Sequence, residues 1–285
     1  MNLHRFVPIL IVLTALTCSA QRNTSASDNA ALRYWAAFAQ IQDSPITDAE
    51  AKSISAILDG TAPYGDSQYK DLVERNAPAL QMMARATKLP DCDWGLDYAM
   101  GPDTPQEYAR KALVLGRLNV LYSLHLLSNG DKDRAASTLA AGVRFSHDVA
   151  NGGSLFATLV AKSLLIAHFN AMEFGLRMGG ISGIERSGLQ RAVANLGPDG
   201  LDWRRAMQRE LGISEQLEPQ AASALARIAP AYTRALGDPA TLPDLQRTIA
   251  NVPPQWANLV PNPVRVLQAK QGLSDKVREM RSRLQ

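Results

Sequence analysis

Three long apolar stretches, separated by two very short breaks, constrain the fold of this chain most strongly. The stretches cover residues 107–128, 131–150 and 154–178, and the breaks are Asn129-Gly130-Asp131 and Asn151-Gly152-Gly153. Asn and Gly commonly end helices, and Asp and Ser commonly begin them. The first and third stretches are apolar on several faces, which is typical of buried helices. Because loops this short join antiparallel neighbours, residues 105–178 are predicted to form an up-down-up unit of three helices.

The rest of the chain also favours helices. Ala, Leu, Arg and Gln are plentiful and strand formers are sparse, a composition with high helix propensity. Thr47 and Glu50 have the spacing of a capping box and predict a helix that runs to about Leu58. We therefore predict an all-α fold in which antiparallel helical hairpins form a bundle or a short α-solenoid around the long three-helix unit.

Residues 29–40 are predicted to form the first helix. Leu32, Trp35 and Phe38 recur there at helical spacing, with Ala36 and Ala39 on the same side. An apolar stripe of this kind usually faces the core. We expect these three side chains to be buried.

One hairpin of the three-helix unit resembles a tetratricopeptide repeat. The turn at Gly130-Asp131, together with Ala135, Leu139 and Gly142, falls where that repeat has its turn and its packing residues. The predicted helices are longer than the repeat, and no second copy recurs at a fixed period, whereas repeat arrays stack several copies. The resemblance implies shared packing, so the solenoid form of the fold would be TPR-like without belonging to that family.

Turn-rich segments divide the chain into regions, and its length fits one large or two small domains. The predicted regions are a signal peptide at 1–20, a flexible leader at 21–28, a main helical domain at 29–180 and a C-terminal helical region at 181–285 that includes a Pro-rich loop at 237–263. Within that loop we expect one helical segment, at 243–250.

The N-terminus has the layout of a secretory signal peptide. His4 and Arg5 precede an apolar run from Phe6 to Leu16, and polar residues follow from Gln21. Small residues before Gln21 predict cleavage after Ala20. An alternative is a bacterial lipoprotein signal, in which Cys18 is lipidated; the residues before Cys18 only partly resemble a lipobox. Both alternatives predict an exported protein in the periplasm or associated with the cell envelope.

Charge and motifs exclude several functional classes. The net charge is only +3, and no basic stripe precedes the C-terminus, so we expect no nucleic-acid partner. Residues 264–284 form a predicted basic amphipathic helix, which could contact an anionic membrane surface or simply face solvent. The usual phosphate-loop, zinc and hydrolase motifs are missing from the sequence, and no cofactor is implied.

Three histidines lie on the three long predicted helices. They are His125, His147 and His168. If they met they could bind a metal, but they lie at different distances from the turns. His125 and His147 would differ in height by on the order of 16 Å. We therefore predict no shared metal site.

The junction at residues 89–104 is the main candidate site. Asp93 and Asp97 could pair for acid–base catalysis, or Trp94 and Tyr98 could form an aromatic platform for sugars or cationic ligands. A structural interpretation is also open, in which Cys92 and Trp94 pack into the core, Asp93 caps a turn, and Asp97 pairs with an arginine. For that pairing the candidates are Arg110 and Arg117.

Motifs in the first half of the chain resemble a family of exported, all-helical bacterial proteins of acidobacterial and planctomycete type. The resemblance rests on the NAALRYW motif at 29–35, the CDWGLDY motif at 92–98 and Gly152-Gly-Ser-Leu155, and covers roughly residues 28–178. The family has no assigned activity, so the resemblance implies export and helicity but no catalytic residue. We expect a binding or scaffolding protein of the cell envelope, with a protein or small-molecule ligand; the alternative is an envelope hydrolase that uses Asp93 and Asp97.

Overall fold

The fold is all-α throughout residues 28–42 and 47–285, the part of the chain that the computed structural model describes. The predicted signal peptide at 1–20, with Cys18, and nearly all of the predicted leader at 21–28 lie outside the described residues. The helices are α1 (Ala30–Phe38), α2 (Asp48–Leu58), α3 (Asp66–Arg75), α4 (Ala77–Ala86), α5 (Glu107–Ser128), α6 (Lys132–Ala150), α7 (Leu155–Arg177), α8 (Gly183–Ala194), α9 (Trp203–Leu217), α10 (Ala222–Gly237), α11 (Leu242–Ala250) and α12 (Pro263–Leu284).

Helices α5, α6 and α7 form the centre of the molecule, as the sequence predicts. Asp131 caps α6 by accepting a hydrogen bond from the Arg134 amide, and Ser154 caps α7 by accepting one from the Ala157 amide. Helix α7 is long and apolar enough to cross a membrane, but 67% of its apolar window is buried inside the protein. Burial on this scale is expected for the core helix of a bundle.

The other helices cover this centre on two sides. Helices α1, α3 and α4 pack against α5 and α6, while α8, α9 and α12 pack against α6 and α7. Helix α2 lies over α5 and α7. The capping box of α2, formed by Thr47 and Glu50, is confirmed in full. A short bridge between Asn29 and Asp91 ties the start of α1 to the junction.

The predicted orientation of α1 is wrong. Leu32 is 49% exposed and Trp35 is 39% exposed, and of the predicted stripe only Phe38 is buried. Tyr34 is fully buried instead, because its hydroxyl reaches the carboxylate of Asp148 inside the bundle at 2.7 Å. Both faces of α1 have helical spacing, so periodicity alone could not choose between them.

The Pro-rich segment at 237–263 is more regular than predicted. It contains the expected helical segment, as α11, and two short 3-10 turns at Pro239–Thr241 and Pro254–Leu259. In each of these elements a proline occupies one of the first positions, where its missing amide hydrogen costs nothing.

Candidate functional site

The junction is fastened to the start of α1 by Asn29. The Asn29 side chain donates to the carbonyl of Asp93 at 2.8 Å and accepts from the amide of Asp93 at 2.9 Å. The Ala30 amide donates to the Asp91 carbonyl at 2.8 Å. Asn29 also caps α1 by accepting from the Ala31 amide. The Asn29 side chain therefore caps the start of α1 and also holds the junction against that helix.

Trp94 lies in an aromatic cluster inside the protein. It is 7% exposed, and its ring centroid lies 4.4 Å from that of Tyr108 and 5.7 Å from that of Tyr34. Its indole nitrogen donates to the carbonyl of Asp148 at 2.8 Å. A buried indole with a satisfied N–H group is a packing residue, and this ring has no free face to offer as a platform.

Aromatic side chains from the junction and α5 satisfy the carbonyls at the end of α6. Trp94 binds the Asp148 carbonyl, Tyr108 donates to Val149, and Tyr98 donates to Gly152. The last carbonyls of a helix have no partner within the helix and need one elsewhere when they are buried. The junction thus provides the C-terminal cap of α6.

Asp93 and Asp97 are turn residues. Asp93 Oδ1 accepts from the Gly95 amide and Asp97 Oδ1 from the Ala99 amide, each at 2.9 Å. Both residues are exposed. The ion pair expected between Asp97 and Arg110 or Arg117 does not form among the described residues. A carboxylate that accepts a backbone hydrogen bond two residues onward stabilises its own turn, and the two acids share no common partner.

A buried carboxylate that the sequence analysis missed lies behind the junction. Asp148 has a fully buried side chain that accepts from the Tyr34 hydroxyl at 2.7 Å and forms an ion pair with Arg144 Nε at 3.0 Å. Burial, together with the charge of Asp148, raises the pKa of the Tyr34 hydroxyl well above its usual value. The spacing of Arg144 and Asp148, four residues apart on a predicted helix, was the available signal.

Cys92 belongs to the same cluster. Its sulfur lies 3.8 Å from the Asp148 carbonyl and is largely buried. Burial, and secondly the negative charge of Asp148, raises the pKa of the Cys92 thiol above its usual value. Because the thiolate is the reactive form, this cysteine is held as an unreactive thiol.

Tyr98 and Asp97 border a small concavity of about 410 Å³ between the junction and α9. The Arg209 guanidinium lies over the Tyr98 ring, 4.7 Å from its centroid. This contact covers the ring with a protein cation, so the face that the sequence analysis offered to a cationic ligand is occupied. Burial raises the pKa of Tyr98 above its usual value.

The three histidines occupy separate environments. His125 Nδ1 lies 2.6 Å from Asp66 Oδ1, and His168 is fully buried between Asn119 and the Leu164 carbonyl. His147 borders a polar concavity of about 410 Å³ at the start of α9. In the described part of the chain, no group of three metal-ligating side chains comes together.

A longer groove lies between α4, α6 and α8, with a volume of about 1100 Å³. Its floor is a row of small side chains on one face of α6: Ala136, Ser137, Ala140 and Ala141. The Arg144 guanidinium borders the groove and donates to the Pro90 carbonyl at 3.3 Å. Arg144 therefore links one end of the groove to the junction.

Charge is divided along the groove. Asp133 and Glu185 line the end where α6 and α8 begin, while Lys88, Arg144 and Arg191 line the groove towards the junction. The N-terminal ends of α6 and α8 lie together. Lys132 at the start of α6 donates to the carbonyl of Gly179, just before α8, at 2.9 Å. The groove is thus acidic at one end and basic at the other.

Ile184 stands at the acidic end and is 86% exposed. It adds one exposed apolar side chain to the border of the groove.

Compared with protein-family models, with curated proteins and with solved structures, the chain matches none of them.

Proposed function

We propose that this protein is an exported binding or scaffolding protein of the bacterial cell envelope, and that the groove between α4, α6 and α8 receives a helix of a partner protein. The observation that carries the proposal is the groove itself, with its floor of small side chains and its oppositely charged ends. The signal-like residues 1–20 and the resemblance to exported helical proteins support the compartment.

The size and floor of the groove suit a helix. From Asp133 to Arg144, α6 advances about 16 Å, at 1.5 Å per residue. A partner helix of about three turns covers that length. Small residues such as Ala140 allow the backbone of a second helix to approach closely, which increases the van der Waals contact between them.

The charged residues that line the groove predict the charge pattern of the partner helix. Basic side chains on the partner would face Asp133 and Glu185, and acidic side chains would face Lys88 and Arg191. Complementary charges contribute more to orientation and to the rate of association than to affinity. The preferred partner is an amphipathic helix with small apolar residues on one side and opposite charges at its two ends.

The hydrolase alternative has less support. The carboxylates of Asp93 and Asp97 each stabilise a turn of the junction. A general acid and base need to reach the same reacting group, and of these two acids only Asp97 lines the concavity between the junction and α9. A binding role uses the groove that is present and requires no chemistry from the junction.

A selection from a library of helical peptides tests the proposal. The full-length protein is immobilised, bound peptides are sequenced, and their affinities are measured by fluorescence anisotropy. We expect the selected peptides to carry small residues at four-residue spacing, with basic and acidic residues at opposite ends. The variant Ala140→Leu fills the floor and should weaken their binding at least tenfold.

The control variant is Ala226→Leu, which adds the same side chain to an exposed position on α10, away from the groove. It should bind the selected peptides as the wild type does. Selection of no peptide, or equal binding to the Ala140→Leu and wild-type proteins, would contradict the proposed function.

A further inference from the structure

The outer side of α1 is apolar and exposed, against the expectation from the sequence. Leu32 and Trp35 are 49% and 39% exposed. The Trp35 ring is held in place by Phe38 and Trp94, whose ring centroids lie 5.4 Å and 6.4 Å away. A large aromatic side chain that is held in place at the surface is well suited to contact a membrane or another molecule.

This surface continues onto α5. Phe38 and Ile41 share a shallow concavity with Val114, which is 43% exposed. We name the combined surface the α1–α5 face. It consists of Leu32, Trp35, Ile41 and Val114, together with the basic residues Arg110 and Lys111 of α5.

The charge of the α1–α5 face is predominantly basic. Arg110 and Lys111 line the concavity directly. Glu107 also lines it, 4.0 Å from the ammonium group of Lys111. Exposed apolar and aromatic side chains suit the boundary between the headgroups and the acyl chains of a bilayer, and the basic side chains beside them suit anionic headgroups.

The position of α1 in the chain points to the same partner. Residues 17–27 separate α1 and its preceding Asp28 from the apolar run that ends at Leu16. Extended chain of that length spans at most about 40 Å. If the leader is anchored in a membrane, by its apolar run or by a lipid on Cys18, α1 is kept near that membrane.

We propose that the α1–α5 face docks on an anionic lipid surface, with Trp35 and Leu32 at the headgroup boundary and Arg110 and Lys111 against lipid phosphates. This inference rests on the envelope location proposed above but does not involve the groove. It assigns the membrane contact to the α1–α5 face and away from α12, where Lys276 is engaged with Glu173 and Lys270 with Asp199.

Quenching of tryptophan fluorescence by brominated lipids tests the proposal. The purified full-chain protein, with its mature N-terminus identified by mass spectrometry, is mixed with vesicles of brominated phosphatidylglycerol or brominated phosphatidylcholine. We expect quenching with phosphatidylglycerol that weakens as salt is added. Most of it should disappear in Trp35→Phe and persist in Trp256→Phe, which removes a half-buried indole from the C-terminal region.

Charge reversal provides an independent measurement. The double variant Arg110→Glu/Lys111→Glu should bind phosphatidylglycerol vesicles at least tenfold more weakly, because each basic residue near an anionic surface contributes to binding. Vesicle binding without quenching of Trp35 would place the contact elsewhere in the chain and overturn the proposal. Self-association that Trp35→Ser abolishes, without vesicle binding, would show that the face joins two copies and would also overturn it.

Discussion

At the scale of single residues, His168 is a buried titratable group whose pKa shift falls within the pH range of ordinary unfolding measurements. It is fully buried on α7, where Nδ1 donates to the Leu164 carbonyl at 2.7 Å and Nε2 accepts from the Asn119 amide at 3.1 Å. This arrangement fixes the neutral tautomer with its proton on Nδ1. Burial lowers the pKa of His168 from 6.5 to about 4, against a smaller opposing effect of the hydrogen bond to Leu164.

We predict that acid destabilises the protein through His168. The folded-state pKa lies below the unfolded one, so the stabilisation from neutral His168 is complete above pH 6.5 and is lost as the pH falls towards 4. A shift of this size corresponds to about 3 kcal/mol of unfolding free energy. Urea unfolding at pH 7.5 and pH 4.5 should show this loss in the wild type, and a much smaller loss in His168→Gln.

The matched control is His147→Gln, which removes a partly exposed histidine from the neighbouring helix α6. It should keep the pH profile of the wild type. Equal pH dependence in the His168→Gln and wild-type proteins would show that another group carries the acid sensitivity.

At the scale of helices, the sequence predicted the elements better than their contacts. The three long helices, the capping box of α2 and the segment at 243–250 follow from local signals such as Asn-Gly breaks and cap residues. The face that α1 buries depends on Asp148, which is 114 residues from Tyr34 in sequence. Local periodicity holds no information about such a partner, and this is why the exposed position of Trp35 was not foreseen.

For the candidate site too, the sequence predicted local features better than long-range contacts. The sequence identified the junction as a specific structure and included the interpretation that Trp94 packs and Asp93 caps a turn. It did not show that Trp94, Tyr98 and Tyr108 satisfy the last carbonyls of α6, because that requires knowing which helix end lies against the junction. The groove could not be predicted from the sequence either, because α4 and α8 are distant in the chain and meet only across α6.

We predict that Gly142 is required where α5, α6 and α7 meet. A β-carbon at this position would lie 2.0 Å from His168 Nε2 and 2.6 Å from the Asn119 side-chain nitrogen. Both atoms belong to a buried hydrogen bond, so neither can move freely. Gly142→Ala should lower the unfolding free energy by about 1–3 kcal/mol, as overpacking in a core does, and chemical denaturation measures it.

Gly272→Ala is the control for helix propensity. Gly272 lies within α12 and a β-carbon there would meet nothing within 4 Å. This substitution should stabilise the protein by about 0.5–1 kcal/mol, because alanine loses less backbone entropy in a helix. A Gly142→Ala variant that is equally stabilised would contradict the packing described for the three helices.

At the scale of the whole molecule, α12 closes the bundle over α7 and α8. Its buried face includes Leu273, Val277 and Met280. Its basic side chains bind the same chain: Lys276 lies 2.6 Å from Glu173, and Arg281 donates to the carbonyl of Leu196. The basic character of residues 264–284 therefore has an intramolecular use, which joins the C-terminus to the central helices.

The pair of Glu173 and Lys276 should be the strongest of these electrostatic links. Both side chains are mostly buried, at 14% and 21% exposure, and Arg283 adds a second cation 3.7 Å from Glu173. Removing one partner leaves a poorly solvated charge on the other. In a double-mutant cycle of Glu173→Gln and Lys276→Met, we expect a coupling energy of about 1–2 kcal/mol, measured by chemical denaturation at pH 7.

The pair of Asp275 and Arg278 on the same helix is the control. These side chains are 52% and 74% exposed and lie 3.0 Å apart. The cycle of Asp275→Asn and Arg278→Met should give a coupling energy below about 0.5 kcal/mol, because water and salt screen an exposed pair. Adding 1 M salt should remove the coupling of the exposed pair while leaving most of that between Glu173 and Lys276. A coupling energy of Glu173 and Lys276 as small as that of the exposed pair would contradict the role proposed for this buried link.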